Sequence, residues 1–148
     1  MQLIKKDLYI KRSGIPKAGK GLFTKKCIPK GTRIVEYTGN ITTWRKVLQS
    51  NVFNGYVFYI NRNHVIDAKD HLQSPGRYVN DANGLIRIKG IVNNSRYSEV
   101  DGSVFIEATK DIPAGSEIFV SYRKEYWNVI KYNLDLKESK KRNGGKKI

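Results

Sequence analysis

The sequence predicts an α+β domain that is built mostly of short β-strands. Its apolar residues occur in short runs rich in Ile, Val, Phe and Tyr, and Gly, Pro and Asn separate these runs. Helical spacing of apolar residues is confined to one short internal stretch and to the region that begins at Tyr126. Because strands do not alternate with long helices, a doubly wound parallel sheet is disfavoured.

A strand is predicted wherever such an apolar run lies between turn signals. Two of these runs, 56–60 and 64–68, flank an Asn-Arg-Asn turn and form a predicted hairpin. The complete set of predicted strands covers residues 8–10, 22–24, 32–37, 56–60, 64–68, 86–93, 104–108 and 117–122.

One short internal helix is predicted from Trp44 to about Ser50. Thr42 and Thr43 precede it, and either hydroxyl is suited to cap its first turn. The apolar residues of this helix fall on one face, at Trp44, Val47 and Leu48. A second helix is expected over 126–140.

The length of 148 residues suits a single domain with a substantial core. We expect that domain over residues 1–136, followed by a basic, flexible tail over 137–148. Part of the net charge of +15 lies in this tail, which begins KESKKRNGGKK. The remaining body is still basic, and a basic surface favours acidic partners such as nucleic acid.

The cysteine and histidine content argues against a metal site. Cys27 is the only cysteine, so neither a disulfide nor a thiolate zinc site can form within the chain. His64 and His71 lack the spacing of metal ligands, and no metal is predicted. The sequence has no run typical of a signal peptide and no apolar stretch of about 18 residues. We therefore expect an intracellular, soluble protein that does not span a membrane.

A glycine-containing segment, AGKGLF at residues 18–23, offers backbone for close approach to a ligand. It does not match G-x-G-x-x-G and no long helix follows it, so a Rossmann dinucleotide site is disfavoured. It also lacks the GK[ST] ending of a P-loop. On its own, the segment is typical of a turn between two strands.

The most informative stretch covers residues 105–122. It consists of a strand, a D-I-P-A-G turn, a glutamate, an apolar strand and a final tyrosine, Tyr122. Together with four upstream segments, this stretch resembles the SET-domain protein lysine methyltransferases, and the likeness covers residues 8–127. The five segments occur in the order of the family: GKGLF at 19–23, IPKGTRIVEYTG at 28–39, IDA at 66–68, GRYVND at 76–81 and DIPAGSEIFVSY at 111–122.

The resemblance implies a SET-domain fold, with short strands in small sheets, few short helices and a C-terminal pseudoknot. It implies transfer of a methyl group from S-adenosylmethionine to a lysine of a histone or another basic protein. Tyr122 is then the catalytic tyrosine. The implied cofactor-binding residues are Lys20, Gly21, Leu22, Arg77, Asn80, Asp81, Tyr126 and Trp127. The implied lysine channel consists of Tyr37, Tyr56 and Val120, although Tyr56 fits an ordinary core position equally well.

The chain departs from the family pattern at a few positions. Asp81 stands where the family has His, and Ala82 and Asn83 replace the usual Ser and Cys. The cysteine-rich segment of many members is absent, so the region from Tyr126 would close the channel. Asp81 leaves open an alternative, a non-enzymatic SET-like basic module that binds nucleic acid or chromatin. A small β-barrel that binds RNA fits the ordered motifs less well.

The resemblance leaves the oligomeric state open and implies different locations for different sources. A eukaryotic or viral protein of this kind would act in the nucleus or on host chromatin, and a bacterial one in the cytoplasm.

Overall fold

The structure, a computed structural model, describes residues 5–50, 55–84 and 86–122. These residues form nine strands, one short α-helix and two 3-10 turns. The strands are β1 Leu8–Arg12, β2 Lys20–Thr24, β3 Arg33–Glu36, β4 Asn40–Thr42, β5 Val57–Asn61, β6 His64–Asp67, β7 Ser95–Val100, β8 Ser103–Ala108 and β9 Glu117–Ile118. The helix is α1 Trp44–Gln49, and the 3-10 turns are Lys5–Asp7 and Pro75–Tyr78.

The strands form three sheets of three strands each, in the orders β1-β2-β9, β3-β8-β7 and β4-β6-β5. Every pairing within these sheets is antiparallel. The predicted α+β architecture of short strands in small sheets is therefore confirmed. None of the helices in the described ranges is both long and apolar enough to cross a membrane.

The loop between β1 and β2 contributes backbone atoms to the wall of the candidate site. The two strands pair from Leu8 opposite Thr24 to Arg12 opposite Lys20. The Ser13 amide then closes the loop by donating to the Gly19 carbonyl over 2.8 Å. Gly19 has a φ of +72°, a conformation that side chains disfavour, so glycine suits this turn.

Two of the three core clusters in the described residues support the sheets. The main cluster joins the first two sheets and includes Leu22, Ile106 and Ile118, all fully buried. Each such side chain stabilises the fold by about 1.5–3 kcal/mol through removal from water. The second cluster is more aromatic, with Tyr37 and Phe58 packed beside the third sheet. The first cluster anchors strands and loops whose backbone lies near the candidate site, and the second contributes aromatic side chains to it.

The closing segment after β9 lies between two other parts of the chain. Phe119 forms a parallel bridge with Asn80, and Val120 forms another with Ser95. The Val120 amide donates to the Asn80 carbonyl over 2.9 Å, and the Ser95 amide donates to the Phe119 carbonyl over 3.0 Å. Tyr122, which comes next, is thereby brought beside the segment that contains Asn80.

Several predicted elements are confirmed, and a few predictions are wrong. The hairpin of β5 and β6 and the helix α1 lie where they were expected, and Thr43 caps the helix by accepting from the Lys46 amide. The predicted strand 86–93 is wrong, because its described residues form turns and irregular backbone, with Gly90 at a φ of +87°. Strands β4 and β7 were not predicted, since their sequences are largely polar.

The apolar face of α1 is not buried. Trp44 is 37% exposed and Leu48 is 65% exposed. Trp44 packs edge-on against Tyr59 of β5, with 5.2 Å between the ring centroids. The helical spacing of these apolar residues was correctly recognised, but their side chains do not face the core of the described residues.

Candidate active site

A cavity of about 730 Å³ lies where the glycine loop, the segment around Asn80 and the aromatic cluster meet. Three segments supply most of its wall, at residues 15–20, 55–58 and 76–81. Tyr37, Tyr97 and Tyr122 complete the wall with aromatic side chains. A cavity of this size is typical of sites for small molecules and cofactors.

Tyr122 is attached at both ends to one short segment of the wall. Its backbone amide donates to the Asp81 Oδ2 atom over 2.9 Å. Its phenolic hydroxyl donates a hydrogen bond to the Val79 carbonyl. The tyrosine predicted to be catalytic thus presents its hydroxyl at the cavity wall, beside residues 79–81.

Asn80 connects the glycine loop to the closing segment. Its Nδ2 atom donates to the Lys20 carbonyl over 3.0 Å and lies 3.5 Å from Glu117 Oε2. Glu117, which is buried, also accepts from Ser13 Oγ at 2.6 Å and from the Gly14 amide at 2.9 Å. These contacts connect the glutamate of the closing motif with the asparagine of the upstream motif.

Close packing against Glu117 requires a glycine at position 21. A Cβ atom at this position would lie 2.3 Å from Glu117 Oε2. The absence of a side chain therefore allows the buried carboxylate to reach Ser13 and Gly14. Gly21 serves here through packing, and it does not line the cavity of the described residues.

Asp81 is buried, and three N–H groups of the described residues donate to its carboxylate. Besides the Tyr122 amide, its carboxylate accepts from the Asn83 amide at 2.8 Å and from Asn93 Nδ2 at 3.0 Å. A buried carboxylate is tolerated where donors satisfy its oxygens. The aspartate that replaces the family histidine is therefore a fully engaged part of this wall.

An aromatic group forms the other side of the cavity. The Tyr37 ring lies 6.0 Å from Phe58 and 6.1 Å from Tyr97, and Phe58 lies 4.8 Å from Tyr97, all measured between centroids. The Tyr37 hydroxyl donates to the Tyr56 carbonyl over 2.6 Å. Sequence reasoning missed Phe58 and Tyr97 as wall residues. The aromatic content of 56–60 was a signal for Phe58, but Tyr97 lies on the unpredicted strand β7.

Arg77 lies in the wall with its guanidinium already engaged. It donates to the Ala68 carbonyl at 3.0 Å and to the Lys69 carbonyl at 3.1 Å. Its guanidinium carbon also lies 4.0 Å from the Tyr56 ring centroid, a cation–π contact. Arg77 therefore holds Tyr56 against the backbone, and Tyr56 keeps 39% of its surface exposed.

Some of the predicted site residues lie away from the cavity. Leu22 and Val120 are fully buried in the main core, and neither side chain belongs to the cavity wall. Tyr126 and Trp127 lie outside the described residues, as does the predicted tail. In the described ranges, no group of three or more His, Cys, Asp or Glu residues is placed to hold a metal ion.

Comparison with known proteins supplies the family. A SET-domain family model matches residues 19–123, which is more than half of the chain. Among solved structures, the chain is similar to the methyltransferase domain of human PR domain-containing protein 2, with 25% sequence identity and a TM-score of 0.58. That likeness covers 81% of this chain and 79% of the human domain. No curated protein matches the sequence. Because the family model covers all five motifs and most of the described strands, the chain belongs to the SET-domain family.

Proposed function

We propose that this chain is an S-adenosylmethionine-dependent protein lysine N-methyltransferase. The observation that carries the proposal is the placement of Tyr122 in the cavity wall. Its hydroxyl donates to the Val79 carbonyl, and the same cavity wall contains the aromatic side chains of Tyr37 and Tyr97. Membership of the SET-domain family supports the same reaction.

The residues of the cavity fit the proposed cofactor. S-adenosylmethionine combines an adenine, a carboxylate and a sulfonium, and its sulfonium supplies an electrophilic methyl group. Lys17 and Lys20 line the cavity with positive charge that suits a carboxylate. At Gly19, the space that a Cβ atom would take has no heavy atom within 4 Å, so the cavity reaches the backbone there. We assign the glycine loop and the segment at 79–81 to cofactor binding.

The aromatic group suits the stem and amine of a lysine side chain. A lysine amine must be neutral to attack carbon, yet its ordinary pKa is about 10.4. Burial among Tyr37, Phe58 and Tyr97 would favour the neutral amine by excluding water. The phenolic oxygen of Tyr122 would orient the amine, and its dipole would stabilise the charge that develops during transfer. Water can remove the released proton, so the scheme requires no carboxylate base.

The closing segment fits the pseudoknot of the SET-domain fold. Residues 119 and 120 pair on one side with Asn80 and on the other with Ser95, which are remote in sequence. We propose that residues 79–81 thread beneath the loop that the closing segment completes. Such threading is rare, and here it would bring together motifs that lie about 40 residues apart.

The proposed substrate is a lysine of a histone or of another basic protein, in an intracellular setting. The net charge of +15 is compatible with contact to nucleic acid or chromatin as a further property. The alternative of a non-enzymatic module was based on Asp81 in place of histidine. The hydrogen bonds that Asp81 makes within the cavity wall support the enzyme over this alternative.

Calorimetric titration with S-adenosylmethionine tests cofactor binding. We expect saturable binding with a Kd well below 1 mM, on the order of 10 μM, as is common for enzyme ligands. Absence of binding at millimolar cofactor would contradict the proposal, and ATP serves as an adenine-containing control ligand.

A matched pair of glycine variants localises the bound cofactor. Gly19 and Gly31 have φ values of +72° and +88°, and each has open space where a Cβ atom would lie. The two Ala variants should therefore suffer similar backbone strain, but only Gly19 lines the cavity. We expect Gly19→Ala to weaken cofactor binding about 10-fold, equivalent to about 1.4 kcal/mol, and Gly31→Ala to leave it within 2-fold.

The number of methyl groups transferred is predicted from Val120. In the family, the residue two positions before the catalytic tyrosine tunes this number. Val120 has no hydroxyl and its side chain lies in the main core outside the cavity wall, so it would hold no water molecule in the space of an added methyl group. We expect di- or trimethylated lysine from mass spectrometry of a good substrate at completion, and purely monomethylated product would refute this prediction.

A further inference from the structure

We propose that Asp81 is a positioning residue, whose carboxylate fixes the backbone of Tyr122 and thereby the place of its phenolic hydroxyl in the cavity. This inference rests on the proposed methyltransferase function. The resemblance to the family gives no such role to this position, because the family pattern has histidine there. The role follows from the hydrogen bonds that the aspartate makes in this chain.

The two oxygens of the Asp81 carboxylate accept from two different parts of the chain. Its Oδ2 atom accepts from the Tyr122 amide over 2.9 Å, across 41 positions of sequence. Its Oδ1 atom accepts from the Asn83 amide and from Asn93 Nδ2, within its own region. Only 6% of Asp81 is exposed, so water competes little for these bonds.

A carboxylate suits this set of donors and an imidazole does not. An ionised carboxylate has two acceptor oxygens and no donor, whereas a neutral imidazole accepts one hydrogen bond and donates one. Histidine at position 81 could therefore satisfy one of the three N–H groups. Aspartate at this position therefore makes a set of contacts that histidine could not make. Its presence does not indicate a degraded motif.

Tyr122 depends on this contact because its other end is bound to the same segment. Its hydroxyl donates to the Val79 carbonyl, two residues before Asp81. With both ends attached, the ring has a defined place against residues 79–81. Loss of the amide contact removes one of these two attachments, so the backbone of Tyr122 gains freedom to move while its hydroxyl stays bound at Val79. A displacement of about 1 Å at a reacting group can lower a rate by about 100-fold.

Asn93 provides a control, because it bonds to the same region as Asp81 but is not the group that accepts from the Tyr122 amide. Its Oδ1 atom accepts from the Ala82 amide at 2.8 Å, and its Nδ2 atom donates to Asp81. Asn93 is not among the residues of the cavity wall. Asn93→Ala therefore loosens the attachment of residues 81–82 while leaving Asp81 Oδ2 available to Tyr122.

The kinetic test compares Asp81→Asn with Asn93→Ala. In Asp81→Asn, the single amide oxygen is expected to stay with its two donors, and the NH2 group then faces the Tyr122 amide and cannot accept from it. With activity expressed per folded protein, we expect kcat to fall about 10- to 100-fold in Asp81→Asn while KM for S-adenosylmethionine stays within about 3-fold. In Asn93→Ala, we expect a lower Tm and kcat within about 3-fold of the unmodified protein. Equal kcat losses in the two variants would overturn the inference, because loosening of the region alone would then explain the effect.

A second measurement separates this inference from the proposed function. Hydrogen exchange of the Tyr122 amide, followed by NMR, reports the contact with Asp81 without any need for activity. We expect slow exchange in the unmodified protein, at least about 10-fold faster exchange in Asp81→Asn, and little change in Asn93→Ala. An unprotected Tyr122 amide in the unmodified protein would overturn the inference even where a variant does not fold. If methyl transfer is absent but exchange responds as expected, the methyltransferase proposal fails and the attachment of Tyr122 to Asp81 stands.

Discussion

Tyr122→Phe is expected to lower kcat for lysine methylation by about 100- to 1,000-fold, the range seen when one preorganised polar group is removed from a reacting centre. The variant loses only the hydroxyl that now donates to the Val79 carbonyl. The ring keeps its place, because the Tyr122 amide still donates to Asp81. The buried Val79 carbonyl loses a partner, at a cost of about 1 kcal/mol of stability.

Steady-state methylation of a lysine peptide measures this effect, and calorimetry on the same samples shows whether S-adenosylmethionine still binds. We expect cofactor affinity within about 3-fold of the unmodified protein, since the lost group acts on the transition state. Tyr59→Phe is the control, because it removes the same atom from a ring that is 45% exposed and outside the cavity wall. If Tyr122→Phe kept more than about a tenth of kcat, a group other than the Tyr122 hydroxyl would have to stabilise the transition state.

Gly39→Ala is expected to cause the largest loss of stability among single methyl additions at the glycines of the motifs. An added Cβ atom would lie 2.4 Å from the Asp67 carbonyl oxygen and 2.6 Å from its carbon. These are backbone atoms of the adjacent strand, so no side chain can rotate away. The pairing of Asn40 with Asp67 starts at the next residue and must shift or break. We expect a loss of about 3 kcal/mol or more, at the upper end for overpacked sites.

Thermal unfolding measures this loss, with an expected fall in Tm on the order of 10 °C for a chain of this size. Gly115→Ala is the matched comparison. Gly115 has a φ of +83° and no heavy atom near the position of an added Cβ, so its variant suffers backbone strain of about 1–2 kcal/mol without a clash. A Tm for Gly39→Ala that equals or exceeds that of Gly115→Ala would show that the third sheet absorbs the methyl group without breaking its pairing.

Strands with a strong local pattern could be predicted from the sequence, and polar edge strands could not. Strand β8 alternates between buried and partly exposed residues along its whole length, which is the pattern expected of a half-buried strand. Strand β7, with the sequence SRYSEV, has few apolar residues but pairs with β8 over six positions. Its partner β8 begins directly after a turn at Asp101 and Gly102, and this pairing stabilises a strand that its own polar sequence does not indicate. The error at 86–93 has the opposite origin, because apolar residues there alternate but lie in turns.

The amino-acid sequence was sufficient to assign the family and to point to residues that line the cavity. The order of five short motifs was sufficient for this, because their spacing along the chain reflects a shared fold. Tyr122, Asn80 and the glycine loop were all recognised in this way, and the structure brings them to one cavity wall.

The contacts among these residues became evident from the three-dimensional fold. Phe58 and Tyr97 joined the aromatic wall, and Leu22 and Val120 turned out to lie in the core. The largest change concerns Asp81, which in the sequence was a departure from the family pattern and in the fold accepts the Tyr122 amide. The physical reason is that a hydrogen bond depends on distance and direction in space. A closing segment that lies against Asn80 and Ser95 creates such contacts between residues that no local pattern connects.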